Sequence, residues 1–583
     1  MAARIAAASN ECRRGNPIHK HENMRDDYPT DTQVPPGHLV PAEHQPEYLD
    51  FQAMPSTPIS QAHNVGVALS DAQVAHGRSE AVAAIHAESG ATYTYGRLAR
   101  ESRKLASGLM RYGIRKGDRI AYSTANDPAA IIVMLAAWKA GAIVVPIPAN
   151  TRAAEVANYV EDTRPRILFV HPRAGNLEAI RAQKATLGFE AIYSFSDEGV
   201  ETGFPSWTEL FHENTLPAAD VDPNQPAIVW HTGGTTGRPK GCYHTHKRFL
   251  AAGLSFGAGA SVRAGQRWAS AAPIGHALGI IHSTIYSMLN GATVVFIENF
   301  SDARHLLACI AQYRITHFTA LMITWGKMAD ELRSGLGWNG ESLARCFAMW
   351  QTASSADIFD FWKNRGVELL NNFGSTSFAN WVLIPPLDEP TPRAALGKPM
   401  PGYQVEAVEI TDGELRVLPR GELGRMAVRG PSGLTYWNHL DYQKRDVVDG
   451  WTVCDDIIRY DEGGIAHYLG RSDYMISTAG FKVAPIEVEQ ALSKHPGVKE
   501  VAVIPAPCPI RYEQVCAFIV LNPGFAPGSE LKKELRDLVS NELSPYKAPR
   551  MIRFIDALPR DSVGKVQGAL VKKLLDVPET PAH

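Results

Sequence analysis

Between Thr232 and Gly241 the sequence reads Thr-Gly-Gly-Thr-Thr-Gly-Arg-Pro-Lys-Gly, a run holding four glycines, three threonines and a lysine. Glycines leave backbone N–H groups open to an incoming anion, hydroxyls add donors, and the lysine adds a cation. Together Thr232, Gly233, Gly234, Thr235, Thr236, Gly237 and Lys240 are candidates for a polyphosphate cradle. The pattern is not that of a P-loop, which needs Gly-Lys followed by Ser or Thr, whereas Pro239 precedes Lys240 here and Gly241 follows it. Nor does Gly257-Ala258-Gly259 extend to a dinucleotide fingerprint, since its last position is Val262.

Regular elements must hold such a loop in place. The apolar run Ala227-Ile228-Val229-Trp230 enters it. Upstream, Leu98, Ser102, Leu105, Ala106 and Leu109 recur at helical spacing, and residues 119–122 read as a short strand after the turn Lys116-Gly117-Asp118. A helix over residues 128–139 and a strand at Ile143-Val144-Val145 follow. Strands alternating with helices predict a mostly parallel α/β sheet, with ligands at the loops beyond the strand ends. After Gly470 the character changes: residues 498–503 and 514–521 read as strands and 529–543 as a helix, predicting a small α+β domain.

Composition narrows the class. The 583 residues are 45% hydrophobic and 20% charged, ordinary for a globular chain. Lys and Arg number 58 against 61 Asp and Glu, a net charge of −3 that predicts no attraction to nucleic acid. Seven cysteines lie scattered without a Cys-x-x-Cys pair, which predicts neither a zinc site nor a disulfide framework, and a cytoplasmic setting. The apolar stretch 128–138 is too short to span a bilayer, which needs about 20 residues. Residues 1–50 lack the apolar core of a secretory signal and read as a flexible tail.

Further motifs stand in order along the chain: Ala272-Pro273-Ile274-Gly275-His276-Ala277-Leu278-Gly279, Asn372-Phe373-Gly374-Ser375-Thr376, and Gly450-Trp451 leading to Asp456. Then come Gly470-Arg471-Ser472-Asp473 with Gly480 and Pro485-Ile486-Glu487-Val488-Glu489, and Leu558-Pro559-Arg560 closing on Gly564-Lys565. With the loop at 232–241, this set resembles the adenylate-forming superfamily, which includes acyl-CoA synthetases, peptide-synthetase adenylation domains and firefly luciferase. The resemblance covers about residues 60–575. It implies an α/β fold with a large multi-subdomain N-terminal platform and a small mobile α+β C-terminal domain: a tail over 1–50, an adenylation and acid-binding domain over 51–471, and a lid over 472–583.

The resemblance also implies roles. Lys565 reaches the carboxylate and α-phosphate oxygens during adenylation, where cations must offset the approach of two anions. Asp456 accepts from the ribose hydroxyls, Arg471 helps hold the nucleotide, and Phe373 offers a face to adenine beside Gly374, Ser375 and Thr376. His276 orients the acyl carboxylate, Asp473 is the hinge, and Gly480, Phe481 and Lys482 form the CoA-binding face. Ordinary core packing is the alternative for His276 and Phe373. ATP, Mg2+ and coenzyme A are the implied cofactors, a small carboxylic acid the substrate, and a homodimer is compatible with the family.

Four positions depart from the family pattern. Ser377 replaces a glutamate that helps hold Mg2+, leaving Thr236 as the metal-side hydroxyl. Gly233 stands for a serine, and Cys454-Asp455 for Thr-Gly. Trp350 falls where a small residue is usual along the acid pocket, and with Phe378 and Trp381 it predicts an aromatic-lined pocket for an aryl or compact cyclic acid. Core packing is again the alternative. The segment Gly397-Lys398-Pro399-Met400-Pro401-Gly402 is most similar to benzoate- and aminobenzoate-CoA ligases. The expected activity is AMP-forming acid–CoA ligation. Loading of a carrier-protein thiol, and binding of nucleotide and acid without turnover, stand as alternatives.

Overall fold

The computed structural model describes residues 34, 37–49, 63–195, 202–232, 239–349, 356–387, 389–392, 395–472, 475–478, 481–508, 512–560, 566 and 568–576. Two parallel sheets form its larger part. In the first, the strand order is Ala191–Ser194, Ile167–Val170, Arg119–Ser123, Ile143–Pro146, Pro226–Thr232 and Lys240–Thr245, and only the last pair is antiparallel. In the second the order is Glu368–Asn371, Arg345–Met349, His317–Leu321, Arg267–Ser270, Thr293–Phe296, Val82–His86 and Thr92–Thr94, antiparallel only at the Thr92–Thr94 edge.

The helices form as their sequences dictate. Thr94 caps Tyr95–Tyr112 by accepting from the Arg97 N–H at 3.1 Å, and Gly113 at φ 101° ends it. The stripe Leu98, Ser102, Leu105, Ala106 and Leu109 is its buried face. Ala129–Lys139 is buried along its whole length, which explains its uninterrupted apolar sequence. Even Lys139 at its end is 1% exposed, paired with Asp71 at 2.5 Å and with Ser102 Oγ at 2.8 Å. Burial pushes its ammonium down to about 8.

A nine-stranded antiparallel sheet, absent from the sequence expectation of mostly parallel strands, follows from Phe373 to Arg471. Its strands pair across long separations, Ala395 opposite His467 for example, so no short-range pattern announces them. The C-terminal part agrees with its prediction. Val498–Cys508 and Tyr512–Leu521 form a long antiparallel ladder, Met551–Phe554 joins in parallel, and the helices Pro485–Leu492 and Ser529–Glu542 supply Val488, Leu492, Leu531, Leu535 and Val539 to its own core.

The expected tail over residues 1–50 needs correction at its end. Residues 37–49 pack on the body: Val40 is buried, the Glu47 and Leu49 N–H groups donate to Gly450 and Gly430 carbonyls, and Arg248 lies 3.6 Å from the Tyr48 ring. Glu47 also pairs with Arg429 at 2.5 Å. Polar and aromatic groups with distant partners anchor this stretch despite Pro41 and Pro46.

Candidate active site

The glycine-rich loop joins two antiparallel strands, Pro226–Thr232 and Lys240–Thr245, in which Thr232 faces Lys240 and Trp230 faces Cys242. Gly233, Gly234, Thr235, Thr236 and Gly237 lie outside the described residues, as does the Thr232 side chain. Lys240 at the return of the hairpin is buried, its ammonium 3.5 Å from the centre of the Tyr442 ring. A cation–π contact of this kind helps hold the charge in place. At Gly241 a side chain would sit 2.6 Å from Asp162 Oδ2 and 3.0 Å from Trp437, so the close packing beneath the hairpin requires glycine there.

The hairpin is bolted to the segment 372–376. Trp230 Nε1–H donates to the Thr376 carbonyl at 3.1 Å and His244 Nε2 to the same oxygen at 2.9 Å. Burial pushes His244 down to about 4, keeping it a neutral donor. Phe373–Ser375 pairs with Asn380–Ile384, and a β-carbon on Gly374 would come within 2.5 Å of the Asn380 carbonyl. Ser375 Oγ accepts from the Ser377 N–H at 3.2 Å, and Ala379 takes a left-handed φ of 48° to close the turn. Below it runs a buried chain: Tyr286 O–H donates to Asn380 Oδ1 at 2.7 Å and accepts from the Trp381 N–H at 2.8 Å. Asn380 Nδ2 donates to Tyr403 Oη at 3.3 Å, Tyr403 meets Ser432, and Ser432 donates to the Phe378 carbonyl.

On the next strands Asp456 stands opposite Arg471, and Tyr468 O–H donates to Asp456 Oδ1 at 3.2 Å. The Tyr468 ring lies 6.2 Å from that of Phe373. The fold thus gathers the predicted residues Phe373, Asp456 and Arg471, and adds Tyr468, which sequence reasoning missed because no motif contains it. Asp455, noted above only as a departure from the family pattern, pairs with Arg471 at 3.2 Å and Arg425 at 3.1 Å. Its neighbour Cys454 is a poor nucleophile, since burial pushes its thiol well above the usual range.

The segment 272–279 is gripped from the first sheet. Asn126 accepts from the Ile274 N–H at 2.8 Å and donates to the Ala272 carbonyl, while Tyr122 O–H donates to the Ile274 carbonyl at 2.6 Å. A side chain at Gly279 would collide with the Pro273 carbonyl. His276 begins the helix Ala277–Ile281 and is exposed, so the core alternative does not apply to it. Phe378 and Trp381 are both buried, Trp381 in a cluster with Phe256, His282, Tyr286 and Phe347. Trp350, Asp473, Gly480 and Lys565 lie outside the described residues. Phe481 and Lys482 belong to the strand Phe481–Val483, paired with Ile476–Thr478.

These groups suit a nucleoside polyphosphate: an aromatic face, a carboxylate held by a tyrosine, a guanidinium, and a buried ammonium at the start of the strand Lys240–Thr245. They suit Mg2+ less well, since position 377 offers a neutral hydroxyl to a hard cation. Among the described residues no helix is long and apolar enough to cross a membrane.

Comparison with known proteins agrees with this geometry. The model of the AMP-binding enzymes matches residues 71–437, and that of the AMP-binding enzyme C-terminal domain matches residues 487–565. The 4-hydroxybutyrate–CoA ligase 1 of Metallosphaera sedula is 28% identical over 501 residues, 83% of this chain and 85% of that protein. The 3-hydroxybenzoate–CoA ligase of Aromatoleum sp. strain CIB is 26% identical over 487 residues, 83% of this chain and 91% of that protein. The ATP-bound RpMatB-BxBclM chimera B1 superposes with a TM-score of 0.78 at 26% identity, over 88% of this chain and 99% of that one. Both family models fall in order on the two parts of the fold described above, and the chain therefore belongs to the AMP-binding enzymes, the ATP-dependent, adenylate-forming ligases.

Proposed function

We propose that this ligase joins a compact carboxylic acid, aryl or cyclic in preference, to the thiol of coenzyme A through an acyl-adenylate, releasing AMP and pyrophosphate. The observation that carries the reading is the meeting of Phe373 with Tyr468 and Asp456 beside Arg471, the Phe373 strand leading to a Thr376 carbonyl tied to the phosphate hairpin. The aromatic cluster around Trp381 supports a short acid, because it fills the interior behind the His276 motif with packed rings. The two relatives act, by their names, on small hydroxy acids.

In this reading Asp456 accepts from the ribose hydroxyls and Arg471, steadied by Asp455, faces the phosphates. Lys240 and the glycine-rich turn hold the β- and γ-phosphates, with Thr232, Thr235 and Thr236 as hydroxyl donors. His276 meets the acid's carboxylate. Lys565 stabilises the charge that develops as the carboxylate oxygen attacks the α-phosphorus. The C-terminal part then turns near Asp473, withdrawing Lys565 and presenting Gly480, Phe481 and Lys482 to the thiol. Purified enzyme incubated with ATP, Mg2+, CoA and a panel of aryl and short acids should release AMP with at least one of them. Release with none refutes the proposal, and faster transfer to a carrier-protein thiol than to CoA replaces the acceptor.

Ser377 favours a second reading, a binder of nucleotide and acid with little turnover, since a metal-side carboxylate is missing. A wild type that turns over rapidly excludes it.

A further inference from the structure

Tyr442 belongs to none of the motifs noted above, yet its ring meets the lysine of the glycine-rich hairpin. The Lys240 ammonium lies 3.5 Å from the ring centre, and Lys240 is 7% exposed. Burial strengthens a cation–π contact, because water no longer competes for the ammonium. Arg445 also lies near the ring, at 5.0 Å, but its guanidinium is bound to both oxygens of Asp446 at 2.6 and 2.7 Å. Lys240 is thus the nearer of the two cations on this ring.

The fold holds Tyr442 in that place from two sides. Its helix, Leu440–Asp446, is fastened through the fully buried Gln443. That side-chain amide donates to the Leu434 and His44 carbonyls at 2.9 and 3.0 Å and accepts from the Tyr436 N–H at 2.8 Å. Just before the helix, the Trp437 N–H donates to the Gly241 carbonyl at 2.8 Å and its indole N–H to the Asp162 carbonyl at 3.1 Å. Gly241 follows Lys240 directly, so the segment that carries Tyr442 is tied to the residue next to the lysine. Residues 38–44 close the arrangement: the Asn438 N–H donates to the His38 carbonyl at 2.9 Å, and the Val40 N–H to the Tyr243 hydroxyl at 3.2 Å.

A lysine stem is flexible, and a ligand that must order it loses affinity that a stem already ordered retains. A neutral ring orders the ammonium without placing a negative charge where phosphates must come. We infer that Tyr442 is a positioning residue for the triphosphate: its ring sets Lys240 for the β- and γ-phosphates and so raises the affinity for ATP over AMP. This rests on the ligase reading above, in which Lys240 holds those phosphates, and deepens it.

Calorimetry with Mg2+ and α,β-methylene-ATP, whose bridging carbon blocks adenylate formation, measures triphosphate binding apart from turnover, with AMP as the reference. Tyr442→Leu should weaken the analogue about 3- to 30-fold, the range of a cation–π contact from exposed to desolvated, and leave AMP within about twofold. Tyr442→Phe and Tyr442→Trp, which keep an aromatic face, should hold the analogue within about threefold. In a Lys240→Met background, Tyr442→Leu should change nothing further. An unaltered analogue affinity in Tyr442→Leu overturns the inference, as does an equal loss for AMP or a loss that persists beside Lys240→Met, the marks of a structural role. If Tyr442→Leu fails to fold, judged by thermal melting, Tyr442→3,4,5-trifluorophenylalanine decides: it keeps the ring's shape and drains its negative face, so it should bind the analogue more weakly than Tyr442→Phe, and equal binding overturns the inference. Any of these refutations beside AMP release with an acid leaves the ligase reading intact. The aromatic dependence in an enzyme that activates no acid sustains the positioning role and overturns the ligase reading. A wild type that binds neither nucleotide overturns both.

Discussion

Tyr286→Phe should separate the site's hidden support from its packing. The ring stacks on Phe256 and is fully buried, and phenylalanine preserves that contact while deleting one oxygen. The oxygen makes two bonds, to Asn380 Oδ1 at 2.7 Å and from the Trp381 N–H at 2.8 Å. Neither partner has a ready substitute. Asn380 is 1% exposed and its amide is held by Tyr403, while the Trp381 N–H is fixed by the strand. Each buried group left unpaired costs about 1–3 kcal/mol, so the substitution should destabilise the enzyme by about 3 kcal/mol. Because Asn380 and Trp381 face Ser375 and Gly374 in the ladder, the nucleotide loop should loosen too, raising the KM for ATP several-fold. Urea denaturation, read from the midpoint at unchanged slope, gives the first quantity and steady-state kinetics the second. A loss below about 0.5 kcal/mol with an unaltered KM would refute the argument that this chain of bonds holds the loop.

Asp71→Asn should cost about 3 kcal/mol in the same denaturation assay, because it leaves the buried Lys139 ammonium without its carboxylate. The Glu298 hydrogen bond raises His86, while His86 and Arg173 overcome burial to hold Glu298 below its usual range. Their pairing should therefore stabilise fully near and below the unfolded histidine value of about 6.5 and fade as pH rises through the raised one. It should also fade in acid, as pH falls below about 4.3 through the lowered Glu298 value, and His86→Gln should flatten the melting temperature across both limbs. Lys565→Ala should abolish adenylation yet spare thioester formation from supplied acyl-adenylate, whereas equal loss of both half-reactions, measured separately, would contradict its assignment. Ser377→Glu should raise the pyrophosphate-release rate at low Mg2+ if metal affinity limits the step, and an unchanged rate would show that other ligands suffice.

Much of the fold was legible because it rests on short-range pattern. The stripe from Leu98 to Leu109, the apolar segment at 129–139 and the ladder from Val498 to Leu521 each carry their pattern within a few residues. The nine-stranded sheet was not, since its register joins residues such as Ala395 and His467 that share no local signal. The packing of residues 37–49 was hidden for the same reason: Glu47 finds Gly450 and Arg429, far along the chain.

The site divides along the same line. Residue types and spacing by themselves marked the glycine-, threonine- and lysine-rich run at 232–241 as a candidate phosphate loop, because a polyphosphate demands glycines, hydroxyls and cations in a narrow arrangement, while the roles proposed for Phe373, Asp456 and Lys565 rest on the family resemblance. Tertiary structure alone decided that Tyr468 bridges Phe373 and Asp456, that Asp455 steadies Arg471, and that Trp381 packs against the buried ring of His282. Such pairings depend on which strands the fold sets side by side, and on the exclusion of water that makes a single buried polar group count.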